Sequence, residues 1–411
     1  MTDSAVNLVR EYGSPLYVLD EEVLRENCRK YVSTIKENYP DFLVAYASKA
    51  LSAIGILDVL AEEGLGADVV SGGELYTALK SKVKPENILF HGNNKSGQEL
   101  EYAIQEKIKI VIDNGDELEK IIQIAEKLNK KVEVLIRLKP EIEAHTHDFI
   151  KTGQIDSKFG VEIRNLLKVV ERINNAKNVD YLGLHAHIGS QIFDVEPFEE
   201  LVRLLVQHSV EIRDALGIET KIINIGGGIG ITYTASDDPP TIEDFILRIT
   251  NKLKQECQKR GLDLPKLIIE PGRSIIGSAG VTLYTIGTIK EIKGIKTYLF
   301  VDGGMADNIR PMLYQAKYDF EIANKKDQEK LEKYTIAGKF CESSDILAEN
   351  VMLPKAEVGD ILLVKATGAY NYSMASNYNR FCKPAMVMVN NGKARLIIRR
   401  EDFKDLIRND L

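Results

Sequence analysis

From residue 42 to 272 the chain alternates short apolar runs with longer amphipathic stretches. The runs are Phe42–Ala47, Ala67–Val70, Ile88–His91, Ile108–Asp113, Val132–Leu138, Tyr181–His187, Lys221–Ile225 and Lys266–Glu270. Each is rich in Val, Ile and Leu and too short for a helix. Between them lie segments such as Asp116–Leu128 and Phe198–Gln207, whose apolar residues recur at helical spacing. Eight strand–helix units in about 230 residues predict a closed (β/α)8 barrel of the TIM type. Burial on both faces explains why its strands are continuously apolar rather than alternating. Beyond about residue 275 helical spacing fades. The β-type runs Thr282–Ile292, Tyr298–Val301, Tyr334–Ala337, Asp360–Ala366, Ala385–Val389 and Ala394–Ile398 follow, separated by turn signals such as Asn390-Asn-Gly392. They predict a C-terminal all-β domain, sandwich-like or barrel-like. Leu16–Asp20 is one more β-type run, expected to complete that sheet from the N-terminus. The expected division is therefore a barrel over 25–275 and a discontinuous β domain over 1–24 and 276–411.

Composition narrows the possibilities mainly by exclusion. The 411 residues are 44% hydrophobic and 28% charged, which is ample for a large core. A net charge of −7, with Lys and Arg scattered, gives no footprint for nucleic acid or an anionic membrane. No apolar run approaches a membrane span, and Met1-Thr-Asp-Ser-Ala-Val lacks the form of a secretory signal. Cys28, Cys257, Cys341 and Cys382 lie far apart with no Cys-x-x-Cys pair. They read as reduced thiols, and a cytoplasmic location is expected.

In such a barrel, chemistry collects at the C-terminal ends of the strands. Those ends carry Lys49, Ser71, His91, Asn114, Arg137, His187, Gly226–Gly228, and Glu270 with Arg273. Lys49 lies just past an apolar run in Ala47-Ser-Lys-Ala50. Among apolar walls and carboxylates a lysine can lose its proton and attack a carbonyl, as a lysine does when it holds pyridoxal 5'-phosphate (PLP) as a Schiff base. Ile225-Gly-Gly-Gly-Ile-Gly230 can bring backbone close to an anion, and a phosphate site after the last barrel strands is frequent. In Glu270-Pro-Gly-Arg273 a carboxylate can keep a pyridine nitrogen protonated and an arginine can grip a carboxylate or phosphate. His185-Ala-His187-Ile-Gly-Ser190 allows two readings. An imidazole stacks on a flat cofactor ring while Ser190 helps bind phosphate, or the histidines ligate a metal as in barrel hydrolases, with His145 and His147 as a second pair. The first leaves no metal site and explains Lys49. In the β domain, Cys341 in Gly338–Asp345 is a candidate proton donor and Glu342 a candidate ligand for an ammonium. Tyr370 in Gly368-Ala-Tyr370 either donates to phosphate or caps the core.

Taken in order, these motifs resemble the fold type III PLP-dependent decarboxylases. The resemblance rests on Ala-Tyr-Ala-Ser-Lys49-Ala, His-Ala-His187-Ile-Gly-Ser190, Gly226-Gly-Gly228, Glu270-Pro-Gly-Arg273, Cys341-Glu342 and Gly368-Ala-Tyr370, and it runs over nearly the whole chain. Phe90-His-Gly-Asn-Asn-Lys95, Ser157-Lys-Phe-Gly160 and Cys341-Glu-Ser-Ser-Asp345 are similar to motifs of members that convert meso-2,6-diaminopimelate to L-lysine and CO2. The resemblance implies that Lys49 carries PLP, that His187 stacks on its ring and that Glu270 contacts its nitrogen. Ser190, Gly226, Gly227, Gly228, Gly272, Arg273 and Tyr370 are implied at or near the phosphate. Arg273, Arg310, Tyr314, Glu342 and Tyr370 are implied contacts of an amino-acid substrate. Cys341, the implied proton donor, and Glu342 would come from a partner chain, so a homodimer with shared sites is expected. Related decarboxylases of lysine, ornithine or arginine are the alternative, and a metal-dependent hydrolase the distant one.

Overall fold

The structure is a computed structural model that describes residues 2–140 and 158–411. It divides into two compact units. One comprises Asn27–Gly230 and Pro239–Gly272; the other comprises Met1–Glu26, Ile231–Asp238 and Arg273–Leu411.

Strand β1 (Leu16–Asp20) comes first in the chain. It is followed by β2 (Phe42–Ala47), β3 (Gly66–Val69), β4 (Ile88–Phe90), β5 (Lys109–Ile112), β6 (Val132–Arg137), β7 (Val179–His185), β8 (Ile222–Asn224) and β9 (Lys266–Ile269). Strands β2 to β9 close in sequence order into a parallel barrel, β2 pairing with β9. All eight expected runs are strands of this barrel. Seven of them differ from the expected ends by one or two residues, because the ladder stops where the chain turns toward the following helix. Thus Val70, His91 and Glu270, counted with the runs, lie just beyond the last paired residue. Inside the barrel Leu43, Ala45, Leu89, Val111, Leu135, Ile222 and Ile268 form a closed apolar cluster. Leu43 and Ala45 show the logic: residues two apart on a strand share a face, so one alternate set fills the barrel and the other meets the helices.

The flanking helices begin and end where local chemistry dictates. Thr241 caps Ile242–Arg260 by accepting the Asp244 N–H at 3.1 Å, and Gly261 ends that helix with a left-handed residue. Ser96 and Glu99 form a reciprocal capping box at the start of Gly97–Gln105.

The second unit holds β1 together with β10 (Gly280–Ile292), β11 (Lys296–Val301), β12 (Phe320–Ile322), β13 (Glu332–Ala337), β14 (Ile346–Leu353), β15 (Ile361–Val364), β16 (Ala385–Asn390) and β17 (Lys393–Ile398). The order is β14-β13-β11-β10-β1-β16-β17, with β15 joined to β10 and β12. The N-terminal strand is therefore central, antiparallel to β10 and parallel to β16. Asn391 and Gly392, both at positive φ, close the β16–β17 hairpin.

Two strands and several helices within this unit, of which Thr2–Tyr12 is the longest, go beyond the sequence expectation. β14 is an edge strand with exposed positions in its middle, and two register shifts against β13 break its alternation. β12 has only three residues. Helix Thr2–Tyr12 sets Ala5 and Leu8 into a core with Leu16, Val18, Leu283 and Val387, so this unit is mostly rather than wholly sheet.

Candidate active site

The C-terminal ends of the barrel strands bring a dense set of ionisable groups together. Glu270, one residue past β9, is buried. His91 Nε2 lies 2.8 Å from its Oε1, and Asn224 Nδ2 donates to the same oxygen at 2.6 Å. His185 Nε2 stands 3.3 Å from Oε2. Burial by itself would raise the Glu270 carboxyl, but the neighbouring His91 and His185 and the bonds they make hold it well below the usual carboxylate range. Burial pushes the His185 imidazole down to about 4, with Glu270 opposing, so it is neutral near pH 7. Its ring packs edge-on to that of His91, with centroids 4.6 Å apart.

Asp68, inside β3, is the second buried carboxylate, 3.7 Å from His91 Nε2. Burial pushes it up to about 6; His91, Lys49 and Arg137 oppose that rise and Glu270 adds to it. His187 lies two residues past β7. Burial first, then the positive charges of Lys49 and Arg137, hold its imidazole well below the ordinary histidine value. A neutral, flat ring therefore stands near the lysine that the sequence singles out.

Lys49 sits on the short turn of 3-10 helix Ser48–Ala50 that leaves β2, and Ala47 N–H donates to Pro271 O at 3.1 Å, tying that turn to the Glu270 loop. Its side chain is exposed, not walled in as expected for a lysine among apolar neighbours, because it projects from a turn instead of from the strand. The expected carboxylates are present: Lys49 acts electrostatically on Asp68 and Glu74.

The glycine loop is required by close approach. A Cβ on Gly227 would stand 2.0 Å from Glu270 O, one on Gly228 2.4 Å from Gly189 O, and one on Gly226 2.9 Å from Ala186 O. Gly226 and Gly228 also have positive φ. The loop is bound on both sides, by Glu270 N–H to Gly226 O at 2.7 Å and by Ile192 N–H to Gly228 O at 3.0 Å. Gly272 is buried against Ala47 and Ala50, and Ser190 is exposed after Gly189.

Behind β4 and β5 a buried ion pair braces the rim. Lys95 Nζ donates to Gly92 O and Val111 O, both at 2.8 Å, and to Glu117 Oε1 at 2.5 Å. Glu117 Oε2 in turn accepts the Asp113 N–H at 2.9 Å.

Two strand-end residues take ordinary roles. Ser71 and Asn114 are N-caps, accepting the N–H groups of Glu74 at 3.2 Å and Glu117 at 2.9 Å. Half-buried Arg137 stacks over Phe159 at 4.3 Å. His145, His147 and Ser157 lie outside the described residues. The metal reading changes form: His91, His185 and Glu270, not a His185–His187 pair, place three ligand-type atoms within 4.8 Å of one another.

The remaining candidates belong to the sheet unit. The Arg273 guanidinium lies 4.8 Å from the Tyr370 ring and donates to Tyr233 Oη. Arg310 is buried; it donates to Tyr318 Oη and stacks 5.0 Å from Tyr233. Tyr233 thus touches both arginines. Tyr314, Cys341 and Glu342 are exposed. Hydrogen bonds from the Ser344 backbone and hydroxyl hold Glu342 below the ordinary carboxyl value. Sequence reasoning missed Asn224, Asp68, Tyr233 and Tyr318. A polar residue inside an apolar run was the available signal for the first two.

The family model for the pyridoxal-binding domain of pyridoxal-dependent decarboxylases matches residues 25–277. The chain belongs to the pyridoxal-dependent decarboxylases. Within that family it is 48% identical to the diaminopimelate decarboxylase of Synechocystis sp., covering 98% of this chain and 88% of that protein. It is 44% identical to the diaminopimelate decarboxylase of Bacillus subtilis, covering 99% and 93%. The diaminopimelate decarboxylase of M. jannaschii, solved in complex with L-lysine, superposes with a TM-score of 0.94 at 37% identity, over 99% of this chain and 94% of that one. The barrel residues fit the cofactor this pyridoxal-dependent family carries. They offer an accessible amine, an ionised buried carboxylate, a neutral imidazole, and a loop where added Cβ atoms would strike backbone.

Proposed function

We infer that this chain is a PLP-dependent carboxy-lyase that converts meso-2,6-diaminopimelate to L-lysine and CO2, the last step of lysine biosynthesis. The observation that carries the reading is the joint one: a buried carboxylate kept ionised at the end of β9 and an accessible Lys49 after β2, in a chain 40–48% identical to several diaminopimelate decarboxylases.

Lys49 supplies the primary amine that holds the cofactor's aldehyde. Glu270, fixed by His91 and Asn224, supplies the anion that keeps the pyridine nitrogen protonated. The chemistry the cofactor supplies there is an electron sink for the pair left on carbon when CO2 departs. His187, being neutral, offers a flat face without adding a competing positive charge. The glycine loop, Ser190, Gly272, Arg273 and Tyr370 serve the phosphate. Because the reaction replaces CO2 with a proton on the same carbon, a proton donor is needed, and Cys341 is assigned that task. The distal end of diaminopimelate carries an ammonium and a carboxylate that must survive. Glu342 is suited to the first and Arg310 to the second, with Arg273, Tyr314 and Tyr370 as further substrate contacts.

The exposure of Cys341 and Glu342 supports a homodimer in which each chain lends them to its partner's site. Mixing Lys49→Ala with Cys341→Ala then restores activity, since one site of each mixed dimer is intact; no restoration refutes sharing. Four free cysteines support a reducing, cytoplasmic setting, and among the described residues no helix is long and apolar enough to cross a membrane.

The direct test is CO2 release from a panel of diaminopimelate, lysine, ornithine and arginine with PLP, followed by borohydride reduction and peptide mapping. Diaminopimelate should be the preferred substrate and Lys49 the labelled residue. Preference for another amino acid would move the assignment to a sister decarboxylase, and an unlabelled Lys49 in active enzyme would refute its role.

A further inference from the structure

Asn224 ends β8 fully buried, in a run that is otherwise apolar from Ile222 to Ile225. A buried amide is costly unless its hydrogen-bonding groups are met. Here each end of the amide is met by a different part of the site. Nδ2 donates to Glu270 Oε1 at 2.6 Å, and Oδ1 accepts the Gly226 N–H at 2.9 Å. The two bonds define the amide orientation, because exchanging N and O would set a carbonyl against a carboxylate and an NH2 against an N–H. With His91 Nε2 also on Oε1 at 2.8 Å, one carboxylate oxygen is taken up by the protein.

We infer that Asn224 is a positioning residue for the cofactor: by holding Oε1 it turns Glu270 Oε2, which has His185 Nε2 beside it at 3.3 Å, toward the ring nitrogen, and it ties that carboxylate to the glycine loop. The inference rests on the reading that this site binds PLP. The neighbouring contacts make the tie rigid. Glu270 N–H donates to Gly226 O at 2.7 Å, and the missing Cβ of Gly227 lets the loop approach Glu270 O. Side chain, main chain and close packing thus fasten one carboxylate to one loop, so the two ends of a cofactor are held at one separation. An acidic side chain at 224 keeps the bond to Gly226 but faces Glu270 with a second carboxylate. An apolar one keeps neither bond.

The test compares holoenzyme of wild type, Asn224→Asp and Asn224→Ala. PLP affinity is measured by equilibrium dialysis, the visible band of bound PLP is titrated with pH, and circular dichroism reports folding. Both variants should fold and bind PLP about tenfold more weakly, the loss of one hydrogen bond to a charged group. In Asn224→Asp the band should also change at a pH about 1 unit higher, because two adjacent carboxylates share a proton. PLP affinity within about twofold of wild type in both variants overturns the inference. So does weaker binding with an unmoved titration in Asn224→Asp, which marks a structural role only. Failure of both variants to fold overturns it too. A wild-type protein with no PLP band would sink the cofactor reading instead, before Asn224 is addressed.

Discussion

Replacing Lys95 with methionine should unfold the barrel at a distinctly lower temperature. Methionine follows the lysine stem closely, so the loss is one of charge and donors rather than volume. The lysine side chain is 1% exposed and that of Glu117 4%. Three acceptors lose their donor: Gly92 O, Val111 O and Glu117 Oε1. The dominant penalty is the Glu117 carboxylate, left buried with the Asp113 N–H on its other oxygen. Removing one partner of a buried ion pair costs about 3–5 kcal/mol. For a unit of this size a loss of about 3 kcal/mol lowers Tm by about 6–12 °C. Burial already raises the Glu117 carboxyl in the native chain, despite the opposing charge of Lys95. Without that charge it rises further and takes up a proton as pH falls. The deficit should therefore be smaller at about pH 5 than at about pH 8. Thermal unfolding of the PLP-saturated protein, followed by circular dichroism at both pH values, measures this. Adding Glu117→Leu to Lys95→Met should recover part of the loss, since the unpaired charge is gone. A single variant within about 2 °C of wild type at both pH values, or a double variant no better than the single, would refute the reasoning.

Three further outcomes follow from the rim and its glycine loop. The Asp68 carboxyl is raised from 3.8 to about 6, so its charged form is disfavoured in the fold and stability is lost as pH rises through that window. Asp68→Asn should gain on wild type across it, by at most roughly 3 kcal/mol. His185, lowered from 6.5 to about 4, acts in the opposite sense, and His185→Gln should gain on wild type as pH falls through its window. Urea unfolding of the cofactor-free protein at several pH values reads both, and a flat difference for either variant counts against its assignment. Gly227→Ala places a Cβ 2.0 Å from Glu270 O, where backbone must move. It should cost about 1–3 kcal/mol and weaken PLP binding, which dialysis checks; unchanged affinity would mean that the loop yields without disturbing the site.

Much of the architecture was legible because it depends on local pattern. Eight Val, Ile and Leu-rich runs, each followed by a helical segment, have few ways to bury both faces, and a closed parallel barrel is one of them. β14 escaped because its middle is exposed and two register shifts against β13 break the alternation that would mark a strand. The barrel's candidate residues followed from asking what each strand end carries. Asn224 escaped because it was read as part of an apolar run. Its meaning depends on Glu270, 46 positions away, and that of His91 on the same carboxylate, 179 positions away.

By itself, the sequence determined the barrel, the lysine, the glycine loop and the carboxylate, since hydrophobic period, turn residues and motif order are local or additive properties. Only the tertiary structure decided which groups are charged and which oxygen is bound. Closing the barrel sets distant strand ends within a few ångströms in a buried rim. There burial keeps His185 neutral and disfavours ionised Asp68, while specific donors keep Glu270 ionised. Those outcomes depend on distances between residues far apart in the chain, and no periodicity encodes them.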